Sequence, residues 1–160
     1  MKNKRQDGFS LVELLVVVTI IGIIAAIAIP NLLASRRAAN EGSAQSSLRT
    51  IHSAQVTYQA TAGQGAYAAD LVALRTQRLI DDVLGSSNKS GYHFEIVEQS
   101  GTSATAVFGV YAFPQTTGGT TQTGTRVFAT THDGVMRGDT DLSATPTTIA
   151  AIRALPVLAN

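Results

Sequence analysis

The sequence contains no cysteine, and this absence limits how the chain can be stabilised and what it can bind. Without cysteine no disulfide can close a loop, so the folded part must be held by its hydrophobic core and its sheet. The three histidines, His52, His93 and His132, lack the spacing of metal ligands, and no cysteine is available to complete a metal site with them.

Motifs of enzymatic chemistry are missing as well. The sequence has no glycine-rich phosphate loop and no nucleophile elbow. The adjacent carboxylates Asp81 and Asp82 indicate a solvated helix face, because no other polar pattern accompanies them. We therefore expect neither an enzyme nor a bound cofactor.

What the sequence does contain is a long apolar run near the N-terminus. Between residues 11 and 29 the only interruptions are Glu13, Thr19 and Gly22. As a helix rising about 1.5 Å per residue, this run is about 29 Å long. That length matches the hydrocarbon core of a bilayer, so the run predicts a membrane-spanning helix.

Three kinds of protein begin with such a segment. A secretory signal peptide has a shorter apolar core, although Ala26-Ile27-Ala28 has the small residues of a cleavage site. A plain membrane anchor fits the length, but Glu13 is unfavourable in it by a few kcal/mol unless the side chain reaches the headgroups. A helix that assembles with other copies of itself provides Glu13 with a partner.

The residues Gly8-Phe9-Ser10-Leu11-Val12-Glu13-Leu14 resemble the processing motif of type IV prepilins and of type II secretion pseudopilins. In that family a short basic leader ends in Gly, and Phe begins the mature chain. Glu is the fifth mature residue and Pro the twenty-second, which is where Glu13 and Pro30 fall when Phe9 is counted as the first. The resemblance covers roughly the first third of the chain, and the remainder is only generically similar.

The resemblance implies site residues and partners. A prepilin peptidase cuts between Gly8 and Phe9 and methylates the new amine of Phe9, and Glu13 neutralises that amine on a neighbouring subunit during filament assembly. The other implied partners are the membrane, an inner-membrane platform protein, an assembly ATPase and further copies of the chain. The precursor is then expected in the inner membrane, and the mature protein in a surface pilus or a periplasmic pseudopilus.

Charge agrees with this arrangement. Lys2, Lys4 and Arg5 before the apolar run predict a cytoplasmic N-terminus and a head on the periplasmic side. Removing them together with Asp7 takes away a net two positive charges, so the formal charge falls from +1 to −1. No specific nucleic-acid partner is indicated by that balance.

Physical chemistry supports the same role for Glu13. Cleavage after Gly8 would create a positive amine one helical turn from this carboxylate, at the edge of an apolar helix. Opposite charges attract strongly in a low dielectric, and one buried polar pair can fix the register between helices that would otherwise slide. Gly8 has no Cβ, so its backbone can lie close to a peptidase.

The helix is expected to continue beyond Pro30. Proline removes a helical hydrogen bond, so Pro30 and Gly22 are the points at which the helix can kink. Residues with helical spacing then predict an amphipathic stripe that lies on a sheet: Ala44, Leu48, Ile51, Gln55 and Tyr58. The residues expected to face water or a neighbouring subunit are Arg36, Arg37, Glu41 and Arg49. Gly63-Gln64-Gly65 ends the helix.

The remaining residues predict short helical turns and an antiparallel sheet. Helical turns are expected at residues 70–74 and 79–84. Strands are expected at residues 92–97, 104–113, 125–131 and 135–137, with a two-residue hairpin turn at Asp133-Gly134. The Thr-, Gly- and Gln-rich loop 115–124 is expected to be mobile, and a short helix is expected within residues 146–154.

Metal binding is not expected, but three acidic residues are candidate calcium ligands. Asp133, Asp139 and Asp141 cluster near the C-terminus, where pseudopilins of the major class often bind calcium by the family resemblance. The spacing of an EF-hand loop is absent.

The sequence therefore predicts an α+β protein, with a long N-terminal helix packed on a small antiparallel sheet of three or four strands. The first half of the helix spans the membrane and its second half is amphipathic. The predicted parts are a cleaved leader (1–8), a transmembrane and filament-core helix (9–30), its amphipathic continuation (31–62) and a globular α/β head (63–160).

Three functions stay open at this point. The favoured one is a structural subunit of a type IV pilus, serving adhesion, motility or DNA uptake. A pseudopilin of a type II secretion system is the alternative. The third is a monomeric membrane-anchored binding domain, which would not be processed at Gly8.

Overall fold

The structure is a computed structural model that describes residues 9–158, so the predicted leader 1–8 and its Gly8 lie outside the described residues. A 50-residue helix comes first, followed by two short helices, five strands and a last short helix. The helices are α1 (Leu11–Ala60), α2 (Leu71–Thr76), α3 (Asp82–Gly85) and α4 (Ile149–Ala154). The strands are β1 (Asn88–Lys89), β2 (Tyr92–Ser100), β3 (Val107–Pro114), β4 (Val127–Thr131) and β5 (Arg137–Asp139).

The strands form one antiparallel sheet in the order β1-β2-β3-β4-β5, and the α+β class predicted from the sequence is confirmed. The sheet has one strand more than expected, because the short segment before Tyr92 folds back and pairs with β2. Ser90 and Gly91 both have positive φ, 50° and 73°, which is the geometry of a two-residue hairpin turn. Ser90 and Gly91 therefore connect β1 to β2 as a hairpin.

The connection between β4 and β5 differs from the prediction. The prediction of a two-residue turn at Asp133-Gly134 was wrong, because β4 ends at Thr131 and β5 begins only at Arg137. The N–H of Gly134 donates to the carbonyl of Thr131 (3.0 Å), and the Asp133 carboxylate accepts from the N–H of Val135 (2.9 Å) and from Arg137 (3.1 Å). These bonds stabilise a longer loop, so β5 begins two residues later than the predicted strand.

The chain divides into two compact units, residues 1–35 and 36–160. We call the second one the head unit, and it contains the rest of α1 together with the sheet. Its core forms where one face of α1 meets one face of the sheet, and α2 and α3 cover the side. The helix contributes Ala44, Leu48, Ile51 and Ala54, and the sheet contributes Phe94, Phe108, Val110 and Phe128.

The predicted stripe on α1 is confirmed at its first four positions, and Tyr58 is only partly buried. Its polar member, Gln55, is fully buried, and its amide is satisfied by the backbone of one residue. Nε2 of Gln55 donates to the carbonyl of Ala68 (2.9 Å), and Oε1 accepts from the N–H of Ala68 (2.7 Å). This pair ties the connection after α1 to the helix.

The opposite face of the sheet carries a smaller apolar cluster beneath α4. Tyr111 and Ala129 from the sheet contact Ile152 from the helix. A Cβ on Gly109 would lie 2.9 Å from Cδ1 of Ile152, so glycine at this position allows the close approach. Thr148 caps α4 by accepting from the N–H of Ala151 (3.1 Å), within the range predicted for this helix.

Glu41 is the main departure from the prediction on α1. It was expected to face water or a neighbour, but only 6% of its surface is exposed. Oε1 accepts from the N–H and the hydroxyl of Thr125 (2.8 and 2.6 Å). Oε2 accepts from Nε and Nη2 of Arg126 (3.0 and 2.8 Å). Since Thr125 and Arg126 are engaged in this way, β4 starts two residues later than predicted, at Val127.

The loop between β3 and β4 is held by further polar contacts. Thr123 pairs with Thr116 across the loop (3.0 Å, N–H to carbonyl), and its own carbonyl accepts from Nδ2 of Asn40 (2.9 Å). Arg37, which was expected to face water, is half-buried and donates to Oε1 of Gln122 (3.3 Å). The loop expected to be mobile is thus bonded to one face of α1. Arg36 and Arg49 are exposed, as predicted.

We predict that Gly124→Ala destabilises the head unit by about 2 kcal/mol, as overpacking a filled site typically does. A Cβ at this position would overlap the hydroxyl of Tyr92, which is fully buried and donates to the carbonyl of Arg126 (2.9 Å). Urea unfolding followed by circular dichroism measures the change. Gly118→Ala in the same loop is the matched control, because its Cβ would meet no atom within 4 Å. Equal stability of the two variants would contradict the packing around Gly124.

A second prediction concerns acid stability. Burial raises the pKa of the Glu41 carboxyl, but the hydrogen bonds from Thr125 and Arg126 outweigh it, so this pKa lies below its ordinary 4.5. A lowered pKa in the folded state means that the stabilisation is complete above pH 4.5 and disappears as the pH falls through the folded-state pKa. We expect Glu41→Gln to lose about 2 kcal/mol at neutral pH. The difference in the free energy of unfolding between this variant and the parent protein, measured by urea unfolding, should become smaller as the pH falls below 4.5. A difference that does not change with pH would contradict the stabilising role of the ionised carboxylate.

Candidate functional site

The candidate site is the segment from Phe9 to Pro30, which comprises the two residues before α1 and the first part of that helix, within the unit formed by residues 1–35. Its large apolar side chains are exposed, with Phe9 at 85% and Leu11 at 79%. An 18-residue window has a mean hydropathy of 2.9, and none of it is buried within the protein. The helix of a soluble core would bury at least one face, so this surface is suited to contact with a bilayer or with other apolar helices.

Glu13 lies in the first turn of α1 and caps the helix. The N–H of Ser10 donates to Oε2 of Glu13 (3.0 Å), and the carbonyl of Ser10 accepts the first helical bond, from Leu14 (3.2 Å). Ser10 is therefore at the N-cap position and Glu13 at N3, which is half of a capping box. The negative charge is also favourable at this end of the helix dipole. The Ser10-x-x-Glu13 spacing is the sequence signature of such a cap, and the prediction for Glu13 did not include it.

This cap defines what a further partner of Glu13 must do. The side chain is exposed, and its carboxylate accepts a neutral backbone N–H. A positively charged amine is a stronger donor to a carboxylate than a neutral amide is. An amine brought to this position from outside the chain can therefore compete for the carboxylate.

Gly22 and Pro30 both lie inside α1, which is helical from Leu11 to Ala60. A Cβ on Gly22 would meet no atom within 4 Å, so packing within the chain does not require glycine there. Pro30 has no N–H to donate to the carbonyl of Ala26, which leaves a gap in the helical ladder. A kink at these two residues stays a prediction.

Asp133 lies apart from the other two candidate calcium ligands. It sits in the loop before β5, whereas Asp139 ends that strand and Asp141 follows it. Burial raises the pKa of Asp133, but bonds from Val135 and Arg137 lower it by more, so the carboxyl stays ionised and paired. The cationic guanidinium beside it disfavours a metal ion.

Asp139 and Asp141 make local backbone contacts. Oδ1 of Asp139 accepts from the N–H of Asp141 (3.2 Å), and Oδ1 of Asp141 accepts from the N–H of Ser143 (2.9 Å). Within residues 9–158, no three histidine or acidic side chains are placed to hold one metal ion. The structure does not bring the three aspartates together.

Comparison with known proteins points to the same N-terminal segment. A family model described as the prokaryotic N-terminal methylation motif matches residues 3–29. The type IV major pilin protein PilA of Myxococcus xanthus is 43% identical over 56 residues, which are 35% of this chain and 26% of that protein. This N-terminal segment is therefore similar to the corresponding segments of type IV pilins and of type II secretion core protein G.

Two further proteins with a similar segment are a pilus component and a secretion-system protein. The type IV wide pilus major component PilA4 of Thermus thermophilus is 56% identical over 41 residues, or 26% of this chain and 30% of that protein. The type II secretion system core protein G of Aeromonas hydrophila is 36% identical over 59 residues, or 37% and 41%. The chain spans less than half the length of these curated relatives, none of whose names denotes an enzyme. No solved structure matches the chain at a significant level.

Proposed function

We propose that this chain is a structural subunit of a type IV pilus, made as an inner-membrane precursor and cut between Gly8 and Phe9. The mature chain then polymerises into a helical filament through the first half of α1. The observation that carries this proposal is an apolar helix with no buried face and a single carboxylate, Glu13, in its first turn. A bilayer covers this surface before assembly, and the same surface of neighbouring copies covers it afterwards.

Glu13 provides specificity that apolar contacts lack. In a filament core the amine of Phe9 from one copy replaces the Ser10 N–H as the donor to the carboxylate of another copy. The amine keeps its positive charge after N-methylation, so the pair is charge-assisted in a low dielectric. Without such a pair, apolar helices could slide past one another and the subunits would have no defined axial step.

The remaining partners follow from this proposal. Lys2, Lys4 and Arg5 keep the N-terminus in the cytoplasm, where a prepilin peptidase cleaves and methylates it, and the head unit lies on the periplasmic side. An inner-membrane platform protein and a cytoplasmic assembly ATPase then extract the subunit from the bilayer. Adhesion, motility and DNA uptake are the processes that such a pilus serves.

A pseudopilin of a type II secretion system is the second candidate function. It is favoured by the similarity to core protein G, which extends over more of this chain than either pilin match does. The pilus stays the favoured function, because the two pilin matches are more identical to this chain (43% and 56%) than core protein G is (36%). A short periplasmic fibre would replace the surface fibre in this alternative.

The mature N-terminus tests the proposal directly. We expect mass spectrometry of the native protein to show a chain that begins at an N-methylated Phe9, because the motif at Gly8-Phe9 matches the methylation family. Electron microscopy with an antibody to the head unit should show long surface fibres, whereas short periplasmic fibres would identify a pseudopilin. A native protein that begins at Met1 and is found only as a membrane-bound monomer would refute both functions.

Substitutions at Glu13 separate its two roles. Glu13→Val removes both the cap and the charge, whereas Glu13→Gln keeps an oxygen that can accept from Ser10 but has no charge. We expect both variants to stay in the membrane and both to lose filaments, by at least about tenfold in sheared-fibre yield, since a charge-assisted pair is lost. Normal fibres from Glu13→Gln, with none from Glu13→Val, would assign Glu13 to helix capping instead.

A further inference from the structure

We infer that Glu41 latches the loop between β3 and β4 onto helix α1, and that this latch sets the point from which α1 is held as part of the head unit. The latch consists of Glu41, Thr125 and Arg126, supported by the bond between Asn40 and Thr123. All of these residues lie in the head unit, so the inference holds whether or not the chain polymerises.

The carboxylate of Glu41 is fully engaged by the loop. Each of its two oxygens accepts two hydrogen bonds, one oxygen from Thr125 and the other from the guanidinium of Arg126. A bidentate arginine and a backbone N–H are among the strongest donors to a carboxylate. Glu41 is almost completely buried with the loop in place, so opening the loop would break all four of these hydrogen bonds together.

The sheet holds the other side of the latch. The guanidinium of Arg126 lies over the ring of Phe128, 5.3 Å from its centroid, and Phe128 belongs to the core. The hydroxyl of Tyr92 donates to the carbonyl of Arg126 (2.9 Å). The loop end is thus fixed to two strands while it binds the helix, so the latch connects the helix to the sheet.

The position of the latch along α1 is what gives it a role. Arg37, Asn40 and Glu41 have the spacing of one helix face, and each contacts the loop between residues 122 and 126. Within the described part of α1, the first buried residue is Glu41, and the first apolar core residue is Ala44. The head unit therefore begins to hold the helix through polar bonds, one turn before its apolar core begins.

This arrangement separates two parts of one continuous helix. The part before Arg37 contains Gly22 and Pro30, which weaken a helix, and it has no buried residue to hold it. Bending or unwinding that starts there can spread along the helix until it meets residues held by tertiary contacts. The bond from Arg37 to Gln122 and the latch are the first such contacts, and the latch is the buried one, so it protects the core of the head unit from changes in the preceding helix.

Spin-label distances in the full chain in detergent micelles test the latch. The absence of cysteine allows unique labelling at introduced cysteines, and one pair reports the latch: exposed Ala39 on α1 and exposed Thr121 in the loop. A second pair, exposed Ser53 on α1 and exposed Ser100 on β2, reports the packing of helix against sheet.

We expect Glu41→Gln to broaden the distance distribution of the latch pair and leave the packing pair narrow. The amide would place its own N–H groups against Arg126, so the ratio of open to closed loop should rise by about tenfold or more. Glu95→Gln is the matched control, because Glu95 is an exposed carboxylate that accepts from the hydroxyl of Tyr111 (2.6 Å) and lies outside the latch. This control should keep both distributions of the parent protein.

Two results would overturn the inference. One is a latch-pair distribution in Glu41→Gln that equals that of the parent protein, and the other is equal broadening in Glu41→Gln and Glu95→Gln. If neither pair gives a defined distance in Glu41→Gln, the milder Thr125→Ala decides, since it removes one hydroxyl bond and leaves Arg126 in place. Broadening of its latch pair alone supports the latch, and unchanged distributions in that variant exclude it.

Discussion

The first half of α1 imposes the main constraint on this protein, because no part of the chain between residues 9 and 158 covers its apolar surface. Every other feature of that segment follows from this exposure. Its length suits a bilayer, and its one carboxylate sits at the end where the helix dipole favours a negative charge. Under the proposed function, this surface moves from lipid to the same surface of other copies when the chain leaves the membrane.

The head unit solves a different problem, which is to hold a helix without any disulfide. Apolar packing does most of this, since α1 lies on Phe94, Phe108 and Phe128 of the sheet. Two buried polar residues on α1 add specific hydrogen bonds to that apolar packing. Gln55 binds the chain just after the helix, and Glu41 binds the loop before β4. These two residues connect the helix to the segment that follows it and to the loop between β3 and β4.

Local patterns predicted most of the elements. The apolar run, the helical stripe beginning at Ala44 and the alternation in β2 each depend on neighbours in sequence, and the structure confirms them. The predictions that were wrong involve partners far apart in the chain. Glu41 was predicted to face water or a neighbouring subunit, because its partners lie more than 80 residues away in the sequence. The predicted loop before β5 was too short, because the dipeptide Asp133-Gly134 does not indicate the hydrogen bonds that the Asp133 side chain makes with Val135 and Arg137.

By itself, then, the sequence determined the membrane-length helix, the match of residues 3–29 to the N-terminal methylation motif, and the α+β class. Each of these is written in consecutive residues through hydrophobicity, spacing and charge. Only the tertiary structure decided which polar side chains of α1 are buried and where the head unit begins to hold the helix. A buried carboxylate is favourable only beside donors that the fold supplies, and Thr125 and Arg126 reach Glu41 only after the sheet has brought the two segments together.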